Sequence, residues 1–135
     1  MAEWRPGDSA SFTKTFTEDD LLLYADVTGD TNPLHMDEDY ARAGRFGQRI
    51  VHGMLVAGLI STVLGTKLPG PGVIYATQSL QFIYPVFIGD TVTATVTIAT
   101  YDRVHGHIRL TTTCHNQQQQ AVLAGEALMV YRQET

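Results

Sequence analysis

Scarcity is the first information in this chain. It has a single cysteine, Cys114, which excludes an internal disulfide framework and fits a reducing compartment. Nine lysines and arginines stand against fourteen aspartates and glutamates, for a formal net charge of −5. No basic stripe exists to neutralise nucleic-acid phosphates, so a nucleic-acid partner is not expected. The opening residues, Met1-Ala2-Glu3-Trp4-Arg5-Pro6, contain no apolar signal-peptide core. The longest apolar-rich run, Ile50 to Gly65, carries His52 and several glycines and is too short to cross a bilayer comfortably. We therefore expect a cytoplasmic protein without a membrane partner. No internal repeat is visible.

What remains is ordinary globular material. At 135 residues, with 44% hydrophobic and 17% charged side chains, the chain has the size of one domain, residues 1–135, around one core. Ser11 to Thr17 alternates with Phe12 and Phe16 on one side, a strand pattern that Lys14 interrupts. Thr17 and Asp20 then form a capping-box pair ahead of Leu21-Leu22-Leu23-Tyr24-Ala25, which predicts a helix ended by Gly29. Asp37 caps a second, short helix through Ala41, closed by Gly44, and Arg45 to Arg49 reads as loop.

From Gly53 the apolar positions Met54, Leu55, Val56, Leu59, Ile60, Val63 and Leu64 leave almost no polar face, which predicts a helix buried all round. Lys67-Leu68-Pro69-Gly70-Pro71-Gly72 ends it. Strands are predicted at Val73–Tyr84, Thr91–Tyr101, His107–His115 and Ala121–Tyr131, with a turn at Gly89-Asp90. The glutamine run from Gln117 to Gln120 reads as a hairpin tip. One buried helix facing a largely antiparallel sheet is an α+β layer arrangement.

The chemistry concentrates in two stretches. Asp30-Thr31-Asn32-Pro33-Leu34-His35 presents an acid and an imidazole across a loop that Pro33 stiffens, by fixing its own φ and restricting Asn32. Fifteen residues after His35, Ile50-Val51-His52-Gly53-Met54 opens the apolar helix. Unsatisfied backbone N–H groups at a helix start can polarise a carbonyl oxygen. Taken singly, each feature has a plainer reading: Asp30 as a turn carboxylate, His35 as a structural histidine, Gly53 as a packing glycine, His52 as a cap or a partner for the loop. Together they are a carboxylate, an imidazole and backbone donors, which suffice for proton chemistry beside a carbonyl. Elsewhere, His105 and His107 share a strand face without the further ligands a structural zinc needs, so no metal is expected. Arg42, Arg45 and Arg49 are of a type suited to phosphates. Cys114 has no assignable base and reads as a strand residue.

Asp30-Thr-Asn-Pro-Leu-His35, Ile50-Val-His-Gly-Met54, Gln78-Ser-Leu-Gln-Phe82 and Pro85-Val-Phe-Ile-Gly-Asp90 resemble the MaoC-like hydratase family. More narrowly, they resemble its short (R)-specific enoyl-CoA hydratases, which supply monomers for polyhydroxyalkanoate synthesis. The likeness runs, in order, through nearly the whole chain. It implies a hot-dog fold, with a long central helix wrapped by a curved antiparallel sheet, and a homodimer with pockets at or near the subunit interface. It also implies reversible (R)-specific hydration of trans-2-enoyl-CoA, with the acyl-CoA thioester as substrate and no separate cofactor, since coenzyme A belongs to the substrate.

Carried over position by position, the resemblance makes Asp30 and His35 the pair that holds the reacting water and Gly53 the backbone donor to the thioester. Ser61 lines the site from the central helix, and His52 and Met54 join it as substrate-binding residues. Two other chemistries share the fold: a 3-hydroxyacyl-thioester dehydratase of fatty-acid synthesis and an acyl-CoA thioesterase.

Overall fold

The structure, a computed structural model, describes residues 3–132. Its elements run β1 (Ser9–Thr15), α1 (Glu18–Thr28), α2 (Pro33–Met36), α3 (Glu38–Arg42), α4 (Gly53–Thr66), β2 (Ile74–Gln78), β3 (Gln81–Phe82), β4 (Thr91–Asp102), β5 (His107–His115) and β6 (Ala121–Val130). The strands form one antiparallel sheet in the order β1-β4-β5-β6-β2, with β3 also pairing to β6. Helix α4 lies against β4, β1 and β5. This is the α+β hot-dog arrangement.

Local chemistry explains most boundaries. Thr17 caps α1 with a complete capping box: its side chain accepts from the Asp20 amide while the Asp20 carboxylate accepts from the Thr17 amide at 2.8 Å. Gly29 ends the helix in the left-handed region, φ 80°, and donates to Ala25 O at 2.8 Å. A side chain is strained at that φ, and glycine is not. Asp37 caps α3 by accepting from the Tyr40 amide at 3.1 Å. The glutamine run is a hairpin tip, closed by the Asn116 side chain accepting from the Gln118 and Gln120 amides.

Strands β4 and β5 point Val92, Ala94, Val96, Ile98, Ile108, Leu110 and Cys114 inward, all nearly solvent-free. They meet Leu59, Ile60, Val63 and Leu64 of α4 in one core.

Four expectations need correction. The first strand lies two residues earlier than Ser11–Thr17, because Phe16 turns into the core and Thr17 is already the helix cap. The stretch Val73–Tyr84 is two strands, not one: pairing with β6 shifts register between Tyr75 and Thr77 and lapses at Ser79-Leu80. The segment holding His35 is not loop but the single-turn α2. Asn32 accepts from the Leu34 amide at 3.1 Å and Pro33 occupies the first helical position, two start signals that agree.

Finally, α4 is not buried all round. Met54, Gly58, Ser61 and Gly65 form an open stripe at helical spacing. Beside the end of α4 that carries Met54, the β2–β3 side of the sheet exposes Ile74, Tyr75, Phe82, Ile83 and Tyr84. Apolar positions recur on every side of α4, but the sheet covers only part of its circumference.

Candidate active site

The stretch from Ile50 to Gly53 is where the site is assembled. Val51 donates to Val86 O at 2.7 Å, and Ile50 and Phe87 form an isolated antiparallel bridge, which pins this stretch beside the start of α4. From there two side chains are held. Nδ1 of His35 lies 2.8 Å from Ile50 O, and Nε2 of His52 lies 3.1 Å from Asp30 O. A carbonyl oxygen only accepts, so each of these nitrogens carries a hydrogen. In its neutral form His35 therefore keeps Nε2 as a bare acceptor.

Asp30 sits where α1 has just ended. Its amide donates to Thr28 Oγ1 at 3.2 Å, and its Oδ1 accepts from the Asn32 amide at 3.3 Å. Gly29 redirects the chain, the Asn32-Pro33 turn restarts it as α2, and His35 then comes back to Asp30. A carboxylate oxygen of Asp30 and one ring nitrogen each of His35 and His52 all lie within 4.8 Å of one another. Asp30 is exposed, whereas His35 is 9% and His52 1% accessible. The two imidazoles stack at 4.2 Å, and Tyr24 packs on His52 at 4.7 Å.

Burial pushes the His52 pKa below the ordinary histidine value. The neighbouring His35 adds to that lowering, while the Asp30 carbonyl and charge work against it. The cluster also has the composition of a cation site. Two of its four ring nitrogens are already committed to carbonyls, however, and His52 Nδ1 is shut from solvent without a partner among the described residues.

A cavity of about 900 Å³ opens on this cluster. Asp30, His52, Gly53 and Met54 line it, with Phe82 to Phe87 and Val122-Leu123 as apolar walls. His35 is not part of the lining, but one of its ring nitrogens lies within 4.8 Å of an Asp30 carboxylate oxygen. Gly53 is the first residue of α4, and among the described residues its amide and that of Met54 have no acceptor. A Cβ at Gly53 would stand 2.7 Å from the Phe82 ring, so glycine is what lets the ring and the helix start close together. The sequence marked Phe82 within a motif but not its part in shaping this wall.

Ser61 is not brought to the acid and imidazoles. It borders a separate cavity of about 410 Å³ with Ala57, Gly58 and Leu80, and Met54 lines both cavities. The three arginines also part company. Arg49 is tied to Glu18 at 2.9 Å and to Met36 O, and Arg42 to Asp39 at 3.1 Å. Arg45 alone of the three lines the larger cavity, its guanidinium over the Phe46 ring. The thiol of Cys114 is buried and pushed up to about 12, which makes it inert. His105 bonds Asp102 at 2.7 Å on the exposed β4–β5 hairpin.

Residues 3–120 match the family model described as a MaoC like domain. The chain is 51% identical to a Rhodospirillum rubrum protein called (R)-specific enoyl-CoA hydratase, over 93% of this chain and 87% of that one. It is 46% identical to a 3-hydroxybutyryl-CoA dehydratase of Methylorubrum extorquens, over 86% and 73%. Among solved structures, the (R)-hydratase from Aeromonas caviae described as involved in PHA biosynthesis superposes with a TM-score of 0.93. It shares 38% identity and is matched over 98% of this chain and 100% of its own.

Proposed function

Because the chain belongs to the MaoC-like domain family, we infer that it catalyses reversible (R)-specific hydration of trans-2-enoyl-CoA to (R)-3-hydroxyacyl-CoA. It is a hydro-lyase. The dehydratase name of the Methylorubrum relative describes the same equilibrium from the other side. The observation that carries the mechanism is the meeting of Asp30, His35 and His52 within 4.8 Å, at a cavity whose wall includes the start of α4.

In our reading the Asp30 carboxylate and the Nε2 lone pair of His35 share one water. As its oxygen bonds to C3, the water's proton passes to this pair, and the alkene electrons move onto the thioester oxygen as an enolate. The Gly53 amide, with the positive end of α4 behind it, meets that oxygen. The proton returns to C2 and the thioester carbonyl re-forms. Met54, shared by both cavities, and Ser61 beyond it line the path for the acyl chain, and His52 closes the site from the loop side. No cofactor takes part in these steps.

The open stripe of α4 and the apolar β2–β3 edge support a homodimer, in which a second copy covers both. Sedimentation at twice the monomer mass tests it, and a monomer at assay concentrations overturns it. We place the enzyme in the cytoplasm, consistent with an unpaired, buried Cys114; fractionation checks this. We also propose that its product feeds polyhydroxyalkanoate synthesis, a role a coupled polymer-synthase assay measures.

The reaction itself is tested with crotonyl-CoA. Enoyl-thioester absorbance should fall with no release of free thiol. Thiol release would point to a thioesterase, in which water meets C1 instead of C3.

A further inference from the structure

His52 has no assigned step in the hydration, yet it is the most enclosed polar side chain of the site. It is 1% accessible, its Nδ1 has no partner among the described residues, and as the N-cap of α4 it makes no capping bond from its side chain. A buried imidazole that neither caps nor pairs both nitrogens is costly, so its one bond identifies what it does. That bond runs from Nε2–H to the Asp30 carbonyl, across 22 positions of chain. The residue after His52 is Gly53, the oxyanion donor.

The same four-residue stretch holds His35 through Ile50 O. Base, acid and amide donor thus hang from one short segment, and only the Asp30 link depends on a side chain of that segment. Tyr24, Asp30 and His35 are the titratable groups that face His52. Two stacked imidazoliums repel, and burial already disfavours the charged form of the more enclosed ring.

We propose that His52 is a positioning residue: its Nε2–H, held on the Asp30 carbonyl, ties the loop carrying the carboxylate to the helix turn carrying the Gly53 amide. It does this as a neutral ring and exchanges no proton with substrate. The proposal rests on the hydratase reading above. A misplacement of about 1 Å between such groups typically costs about a hundredfold in rate.

Three variants separate this from a structural or substrate-contact role. His52→Gln keeps an N–H at the reach of Nε2, His52→Asn keeps an amide that falls short, and His52→Leu removes the donor. With crotonyl-CoA, kcat should fall about ten- to a hundredfold in the Asn and Leu variants. The Gln variant should recover to within about threefold of wild type, and KM should move by less than about threefold throughout. The pH profile of kcat/KM for the Gln variant should keep both limbs of the wild-type profile, since those limbs belong to other groups. If Leu does not fold, the Gln–Asn pair still decides. A Gln variant that misfolds or stays as slow as Asn overturns the proposal. So does an effect confined to KM, wild-type kcat in Asn, or loss of one pH limb in Gln.

A turnover-free measurement keeps this distinct from failure of the hydratase reading. Histidine ring ¹⁵N NMR should show His52 as the neutral Nε2–H tautomer at about pH 7 to 8, above the ordinary histidine value of about 6.5. A His52 ring that titrates at or above the ordinary value of about 6.5, or an Nδ1–H tautomer, overturns the positioning role even if the enzyme hydrates crotonyl-CoA. An inactive wild type with the expected tautomer overturns the hydratase reading and leaves the tie to Asp30 standing.

Discussion

The β4–β5–β6 meander and the stretch from Asp30 to Gly53 are held together in opposite ways. In the meander, nearly every residue from Thr93 to Asp102 has a ladder partner on β5, and every second side chain from Val92 to Ile98 reaches the core. Position is repeated many times over, so one lost side chain leaves a cavity but not a displaced strand. In the site stretch, each group is placed by one or two bonds between a side chain and backbone: His35 on Ile50 and His52 on Asp30 across long stretches of chain, and Asn32 locally on Leu34. The lesson is that stability and activity here have largely separate residues, and substitutions should uncouple them.

The largest break is expected at Asp30. Asp30→Asn keeps the shape of an exposed side chain but removes the carboxylate, so kcat on crotonyl-CoA should fall by about a hundred- to ten-thousandfold. The melting temperature should stay within about 2 °C, because surface changes away from packing move stability little. Retained activity would end the assignment, and a large loss of stability would erase the contrast between the two regions.

The converse break is at Leu110, 1% accessible at the centre of β5. Leu110→Ala should cost about 2–5 kcal/mol in urea unfolding, while the folded fraction keeps wild-type kcat. Lost kcat at full folding would show that the meander and the site are coupled after all.

The smallest effect is pH dependence, and it sharpens the comparison. His52 is held below its ordinary value by burial and by His35, against Asp30, with Tyr24 as its remaining neighbour. The unfolded chain therefore takes up a proton near pH 6.5 that the folded chain refuses, and binds more protons on acidification. Stability from this group is complete above about pH 6.5. It falls below that by at most about 1.4 kcal/mol per pH unit, until the lowered folded pKa is reached. Urea midpoints of wild type should therefore drop faster between about pH 7 and 5.5 than those of His52→Gln. Parallel curves would refute it.

Much of this was legible in the chain itself. Short-range chemistry announced the Thr17–Asp20 cap, the Gly29 stop, the Asp37 cap, the glutamine hairpin and the start of α4, because each depends on residues within a few positions. The α2 turn was equally local, yet Pro33 read as loop stiffening and not as a helix start. The split of Val73–Tyr84 was hidden, since a register shift depends on what β6 offers opposite Tyr75 and Thr77.

The sequence by itself determined which groups are on hand for the chemistry we propose: an acid and an imidazole around Asn32-Pro33, and a glycine opening an apolar helix. Tertiary structure alone decided that Ile50 O and His52 hold them, that Ser61 faces a different cavity, and that Phe82 rests on Gly53. Residue type and spacing along the chain record propensity and chemical capacity. A hydrogen bond across fifteen or twenty-two positions exists only once the fold has brought its ends together.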